Sequence, residues 1–210
     1  VLPALLIIPL VGAAAIWLTP TRARGGLAVG ADEVAAGLAN GPRWIAFITL
    51  LLEFVVSLGL WWAFDPAGPQ WQGVVDYPWI PMWGIRFTIG IDGIALMMVL
   101  LTTSIMALSV LGSWTGIRVR THGYYSLMLV LTTGMLGVFM ALDLFLFYVM
   151  WELMLVPMYF IIGIWGGERR IYASVKFFIY TMLGSLLMLV AIVILGLAAS
   201  DPVSGIPNFS

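Results

Sequence analysis

The chain contains no cysteine, which excludes disulfides, thiolate metal sites and cysteine nucleophiles. Its single histidine, His122, cannot build a metal centre alone and reads as a loop residue at a membrane end, with pH sensing as the other option. Charge is also scarce: Asp, Glu, Lys and Arg make up 9% of the 210 residues, against roughly 25% in an ordinary soluble domain. The net charge of -1 carries no message about nucleic acid or acidic substrates. Lysine occurs once, as Lys176, and the other eight of the nine basic residues are arginines.

What is present is apolar. Hydrophobic residues make up 62% of the chain, and its mean hydropathy is +1.09. The apolar runs extend for about 20 residues and lack the in-out alternation of membrane strands. They predict one all-α domain over 1–210, a polytopic transmembrane helical bundle, with helices at 1–18, 44–64, 91–114, 124–142, 143–165 and 172–199. The first run has no basic region ahead of it and reads as a membrane helix rather than a signal peptide. Residues 23–41, with Asp32 and Glu33, read as a short extramembrane connection. Residues 65–86, dense in Trp, Pro and Gly, read as a segment folded on the membrane surface, and 201–210 as a closing loop.

Arginine and lysine near membrane ends set orientation. The loops after the first, third and fifth helices carry Arg22, Arg24, Arg43, Arg118, Arg120, Arg169 and Arg170, whereas the opposite loops carry only Arg86. This bias places the N-terminus on the outer side. The turn at 141–143 is so short that the fourth and fifth helices must be antiparallel neighbours, and Thr132, Thr133, Gly134 and Gly137 are small enough to let a helix approach closely.

The run DLFLFYVMWELMLVPMYFIIGIW, from Asp143 to Trp165, holds Glu152 near its middle. A carboxylate at the centre of a transmembrane helix costs about 2.5–3.5 kcal/mol on insertion scales, so a functional role is the first hypothesis. The alternative is a protonated acid bonded to a freed backbone carbonyl. Five residues on, Pro157 cannot donate to the Leu153 carbonyl, and a bend there gives water a way in. Lys176 lies just inside the next helix, where a desolvated amine can lose its proton near neutral pH and an arginine cannot. Glu152 lies roughly 20 Å from the inner end of its helix and Lys176 about 6 Å into the next. A path through hydroxyls or water is therefore expected rather than an ion pair, and dry apolar packing between them would count against a direct relay. Ser174, Lys176, Thr181 and Ser185 form a polar stripe that only partly matches a helical face. Asp92 reads as a helix cap. Glu53, near the middle of the second helix, is open between a packed protonated acid and a site residue.

At these residues the chain resembles a known family. The run FLFYVMWELMLVPMYFIIGIWG followed by YASVKFFIYT is similar to the antiporter-like M subunit (chain 4 type) of the proton-pumping NADH:quinone oxidoreductase, respiratory complex I. PRWIAFIT, DYPWIPMWGIRFTIGIDGIALMMVLLT and GVFMALDLFLF agree with it too. The resemblance implies a larger fold built on two inverted repeats, each with a broken helix, of which these residues hold the first helices. It implies that Glu152 is a proton-pathway residue paired with a lysine on a seventh helix beyond residue 210. Lys176 matches a family lysine of the same polar region and Asp143 the acid that opens the Glu152 helix; Glu53 matches no family site. The resemblance also implies a multi-pass subunit of a bacterial-type inner membrane, seated among other complex I membrane subunits in the bilayer. NADH, flavin, iron-sulfur clusters and quinone would then belong to partner subunits, with none bound by this chain. The related large subunit of a multisubunit sodium/proton antiporter is the nearest alternative, and a passive membrane scaffold is a third.

Overall fold

The structure, a computed structural model, describes residues 1–19, 31–200 and 207–209, and of residues 31–39 only the backbone. Arg22, Arg24, the start of the 23–41 connection, the Asp32 and Glu33 side chains and most of the 201–210 loop lie outside the described residues. Six helices appear: α1 Leu2–Leu18, α2 Ala31–Ala63, α3 Gly93–Gly112, α4 Thr121–Met140, α5 Leu144–Trp165 and α6 Arg170–Ala198. Five are long and apolar enough to cross a membrane, α2 through its Asn40–Ala63 portion, and α1 is a shorter apolar helix of 17 residues.

Two expectations change. The helix predicted at 44–64 begins at Ala31 and runs through Pro42, so the second half of the expected connection is helical. The expected surface segment contains an antiparallel hairpin, β1 Gln72–Ile80 and β2 Ile85–Ile91, joined by a 3-10 turn at Pro81–Trp83. Gly84 closes that turn at φ 68°, a left-handed conformation that glycine adopts without a Cβ clash. β2 takes Ile91 from the predicted third helix. Asp92 then caps α3, accepting a 2.7 Å hydrogen bond from the Ala95 N–H, as its position predicted.

The hairpin is tied to the α4–α5 turn. Ile89 bridges Ala141 and the Leu142 N–H donates to the Thr88 carbonyl at 2.9 Å. Outside the membrane spans, Asp76 accepts from Arg86 at 2.6 and 2.8 Å and from Thr88 at 2.8 Å. The Arg86 hydrogen bonds, followed by that of Thr88, hold the Asp76 carboxyl below its ordinary range.

Lipid tails are as apolar as leucine, so membrane helices associate through close packing rather than water exclusion. The α4–α5 contact shows this. A Cβ placed on Gly134 would stand 2.6 Å from Met154 Cγ, and one on Gly137 2.6 Å from Met150 Sδ. α4 packs on α1, α2, α3 and α5, whereas α6 leans chiefly on α5. One buried cluster joins Leu5, Leu96, Leu136 and Met140 to Ile89 and Ile91 of the hairpin. A second joins Ile16, Leu50, Val110, Tyr125 and Leu129 towards the arginine-bearing loops.

Candidate functional site

Asp143 is buried at the start of α5, where its Oδ1 accepts from the Phe145 and Leu146 N–H groups at 2.9 Å each. Its Oδ2 takes the Arg86 N–H at 3.3 Å. This carboxylate therefore satisfies orphan donors of the helix terminus and joins the hairpin to α5. α5 continues unbroken past Pro157, which is buried; the proline still deprives the Leu153 carbonyl of its intrahelical donor.

Glu152 is half-buried, and its Oε1 is enclosed without a hydrogen-bond partner among the described residues. Tyr148, one turn earlier, interacts with the Glu152 carboxyl through its side chain. The α5 face carrying both looks onto α6. A Cβ on Gly163 would meet Ser174 Oγ at 3.3 Å, and the Tyr159 and Phe178 rings meet edge to face at 5.4 Å. Extending this antiparallel register puts Ser185 level with Glu152 and Thr181 about one turn away, since each residue adds about 1.5 Å. Ser185 is 4% exposed. Ser174, Thr181 and Ser185 each donate to a backbone carbonyl one turn back, at 2.8–3.0 Å, and each oxygen still has lone pairs with which to accept a proton.

Lys176 stands elsewhere. It lies two residues, or about 200°, around α6 from Ser174 and is exposed. Its Nζ sits 5.9 Å from the ring centroids of both Tyr172 and Tyr180, within cation–π range. The structure does not bring Glu152 and Lys176 together: the same register separates them by nine residues, about 14 Å along the axis. The Tyr159–Phe178 contact fills the α5–α6 interface between their heights. A direct relay through that interface is not what the geometry offers.

Two further groups stand out, of which only His122 departs from its expected surroundings. His122 is the second residue of α4 rather than a loop residue, with its Nε2 buried and unpartnered among the described residues. Glu53 is fully enclosed, and neither carboxyl oxygen has a partner among the described residues. Among those residues no group of three or more His, Cys, Asp or Glu side chains is placed to hold a metal ion. Ser185 and Thr181 were visible as a polar stripe, but the register that sets Ser185 against Glu152 needed the Gly163–Ser174 contact.

A bundle of apolar, membrane-length helices, one of them carrying a half-buried carboxyl at Glu152, defines a polytopic membrane protein. Residues 141–203 match the family described as NADH:quinone oxidoreductase/Mrp antiporter, TM. The chain is 44% identical over 206 residues to NADH-quinone oxidoreductase subunit M of Escherichia coli K12, covering 92% of this chain and 37% of that relative. Subunit M and chain 4 proteins of such oxidoreductases are among its homologues. Respiratory complex I from Thermus thermophilus with bound NADH superposes with a TM-score of 0.75 at 26% identity, covering all of this chain and 38% of that one. The Mrp complex from Dietzia shares the fold at a TM-score of 0.71 and 21% identity, over 92% of this chain and 19% of that one. The chain spans about a third of the length of the curated relatives it matches.

Proposed function

We propose that the chain belongs to a proton-translocating membrane subunit of an NADH:quinone oxidoreductase, in which quinone reduction by NADH drives proton transport. The observation that carries this reading is Glu152, a carboxyl with an unpartnered, enclosed oxygen, in a 22-residue apolar helix and level with a buried hydroxyl. An ionisable side chain kept inside a membrane span marks a proton or ion pathway by default. The kinship to subunit M supports the oxidoreductase over a free-standing exchanger.

In this reading Glu152 is the proton-holding residue, and Ser185 and Thr181 are hydroxyls that pass a proton along α6. Lys176 is a second pathway residue that works from the outward face of α6, towards other parts of the assembly. Asp143 fixes the hairpin end of α5, where the pathway opens, and the Leu153 carbonyl freed by Pro157 offers an acceptor for water. NADH, flavin, iron-sulfur clusters and quinone are carried by partner subunits, and the neighbours are other membrane subunits and lipid. The arginine-rich ends face the cytoplasm of a bacterial-type cell membrane and the N-terminus faces outward.

The test uses the full-length subunit in its assembled complex, in sealed membrane vesicles. Proton movement should require NADH oxidation and persist without sodium. Sodium-driven proton exchange in the absence of any electron donor would replace this reading with that of a sodium/proton antiporter, whose fold the chain shares.

A further inference from the structure

We propose that Glu53 is a second proton-binding site, enclosed within α1–α4 and exchanging its proton through a belt of buried hydroxyls. This inference does not rest on the reading of Glu152, which lies on a different helix pair.

Ala46, Leu50, Glu53, Ser57 and Leu60 follow one another at spacings of four, three, four and three, the period of one helical face, and all are at most 8% exposed. Glu53 occupies the centre of this inward stripe. The Glu53 carboxyl is 0% exposed and both its oxygens lack partners among the described residues. An ionised carboxylate in such surroundings is unstable unless paired, whereas a protonated one is tolerated. Among the described residues no compensating charge is in place. α1 and α3 carry no ionisable side chain, and α4 brings only His122, Tyr124 and Tyr125, in its first two turns. On α2 itself, Arg43 is ten residues away, about 15 Å along the axis.

Hydroxyls are nevertheless gathered at this height. Ser57, one turn from Glu53, pairs with Thr103 of α3 at 2.9 Å, both being fully buried. Gly12 of α1 lies against Thr49, and the Ser126 hydroxyl approaches the Ala13 carbonyl at 3.5 Å. Counting along the helices from these contacts puts Glu53 level with Ile8 of α1, beside Pro9, and with Thr132 of α4 to within about one turn. Thr132 is also fully buried. Pro9 leaves the Leu5 carbonyl without its intrahelical donor, which adds one more acceptor. A carboxyl kept in the middle of a packed helix face, unpaired but beside hydroxyls from two other helices, is arranged to carry a proton rather than a charge.

Infrared difference spectroscopy of the full-length protein in its assembled, membrane-embedded complex tests this, comparing pH values and resting with turning-over states. The expected result is a protonated-carboxyl band that shifts in heavy water, changes intensity with pH or turnover, and is lost in Glu53→Gln but retained in Glu152→Gln. Ser57→Ala and Thr103→Val, which leave Glu53 in place, should shift that band and so keep the test open if Glu53→Gln fails to assemble. A Glu53 band that neither exchanges into heavy water nor changes intensity would overturn the proposal in favour of a permanently neutral packing group. Spectra with no band assignable to Glu53 would overturn it too.

Discussion

Two glutamates in similar apolar helices meet different surroundings. Glu53 sits among four mutually packed helices and is fully enclosed, whereas Glu152 sits on the α5–α6 pair and is half-buried. The helices differ in the same sense: 28% of the α2 membrane window and 56% of that of its neighbour α4 are buried, against 17% for α5 and 11% for α6. Sequence makes the two acids look alike, since each is a lone carboxyl in a run of about 20 apolar residues. Packing separates them into an acid held inside a closed packet and an acid on an open face that further chain or partner subunits can reach.

The comparison can be broken first at the contact joining the two regions. Gly134→Val should clash with Met154 and with the Met150 and Met154 backbone, 3.3 Å from the added Cβ, and destabilise the full-length protein by up to about 3 kcal/mol, as overpacked sites do. Thermal unfolding in detergent measures this; an unchanged transition would mean that α4 and α5 are less tightly joined than described. Replacing each acid with methionine sharpens the contrast. Glu53→Met removes an unpartnered buried carboxyl and should stabilise by about 2 kcal/mol, while Glu152→Met, at a half-exposed position, should change stability less. Equal effects would erase the distinction between closed and open surroundings.

Smaller effects are expected at the hairpin. Asp143→Ala removes the α5 cap and should cost about 1 kcal/mol, read from the same unfolding transition. Asp76→Asn should leave stability at neutral pH nearly unchanged, because exposed ion pairs contribute little. The Asp76 carboxyl is held below its ordinary value of 3.8, so its contribution is fully present above that value and fades as pH falls through the lower folded value. A loss of stability in Asp76→Asn that grows above pH 5 would contradict this assignment.

Much of this architecture is legible in the order of residues. Long apolar runs fix six helices, and the brevity of the 141–143 turn fixes α4 against α5, where Gly134 and Gly137 then receive Met154 and Met150. The hairpin was harder to see. IRFTIGI does alternate, but Pro78, Trp79 and Pro81 mask the partner strand, and Ile91 joins an apolar run that continues into α3. The direction of Lys176 was half-legible: Ser174, Thr181 and Ser185 share a helical face from which Lys176 is displaced by two residues, but it takes the Gly163–Ser174 approach and the Tyr159–Phe178 ring contact to show that this face meets α5. The enclosure of Glu53 was not legible, because it depends on α1, α3 and α4 closing over one side of α2. The helical start of α2 at Ala31 was hidden because residues 23–41, with Asp32 and Glu33, read as a short extramembrane connection.

Proton transport by this chain depends most on Glu152 carrying a proton during turnover. Proton translocation and NADH oxidation should be recorded together in sealed vesicles containing the full-length Glu152→Gln protein in its assembled complex. The account predicts that the complex assembles but translocates far fewer protons per NADH oxidised than the unaltered protein. An undiminished proton yield would contradict it.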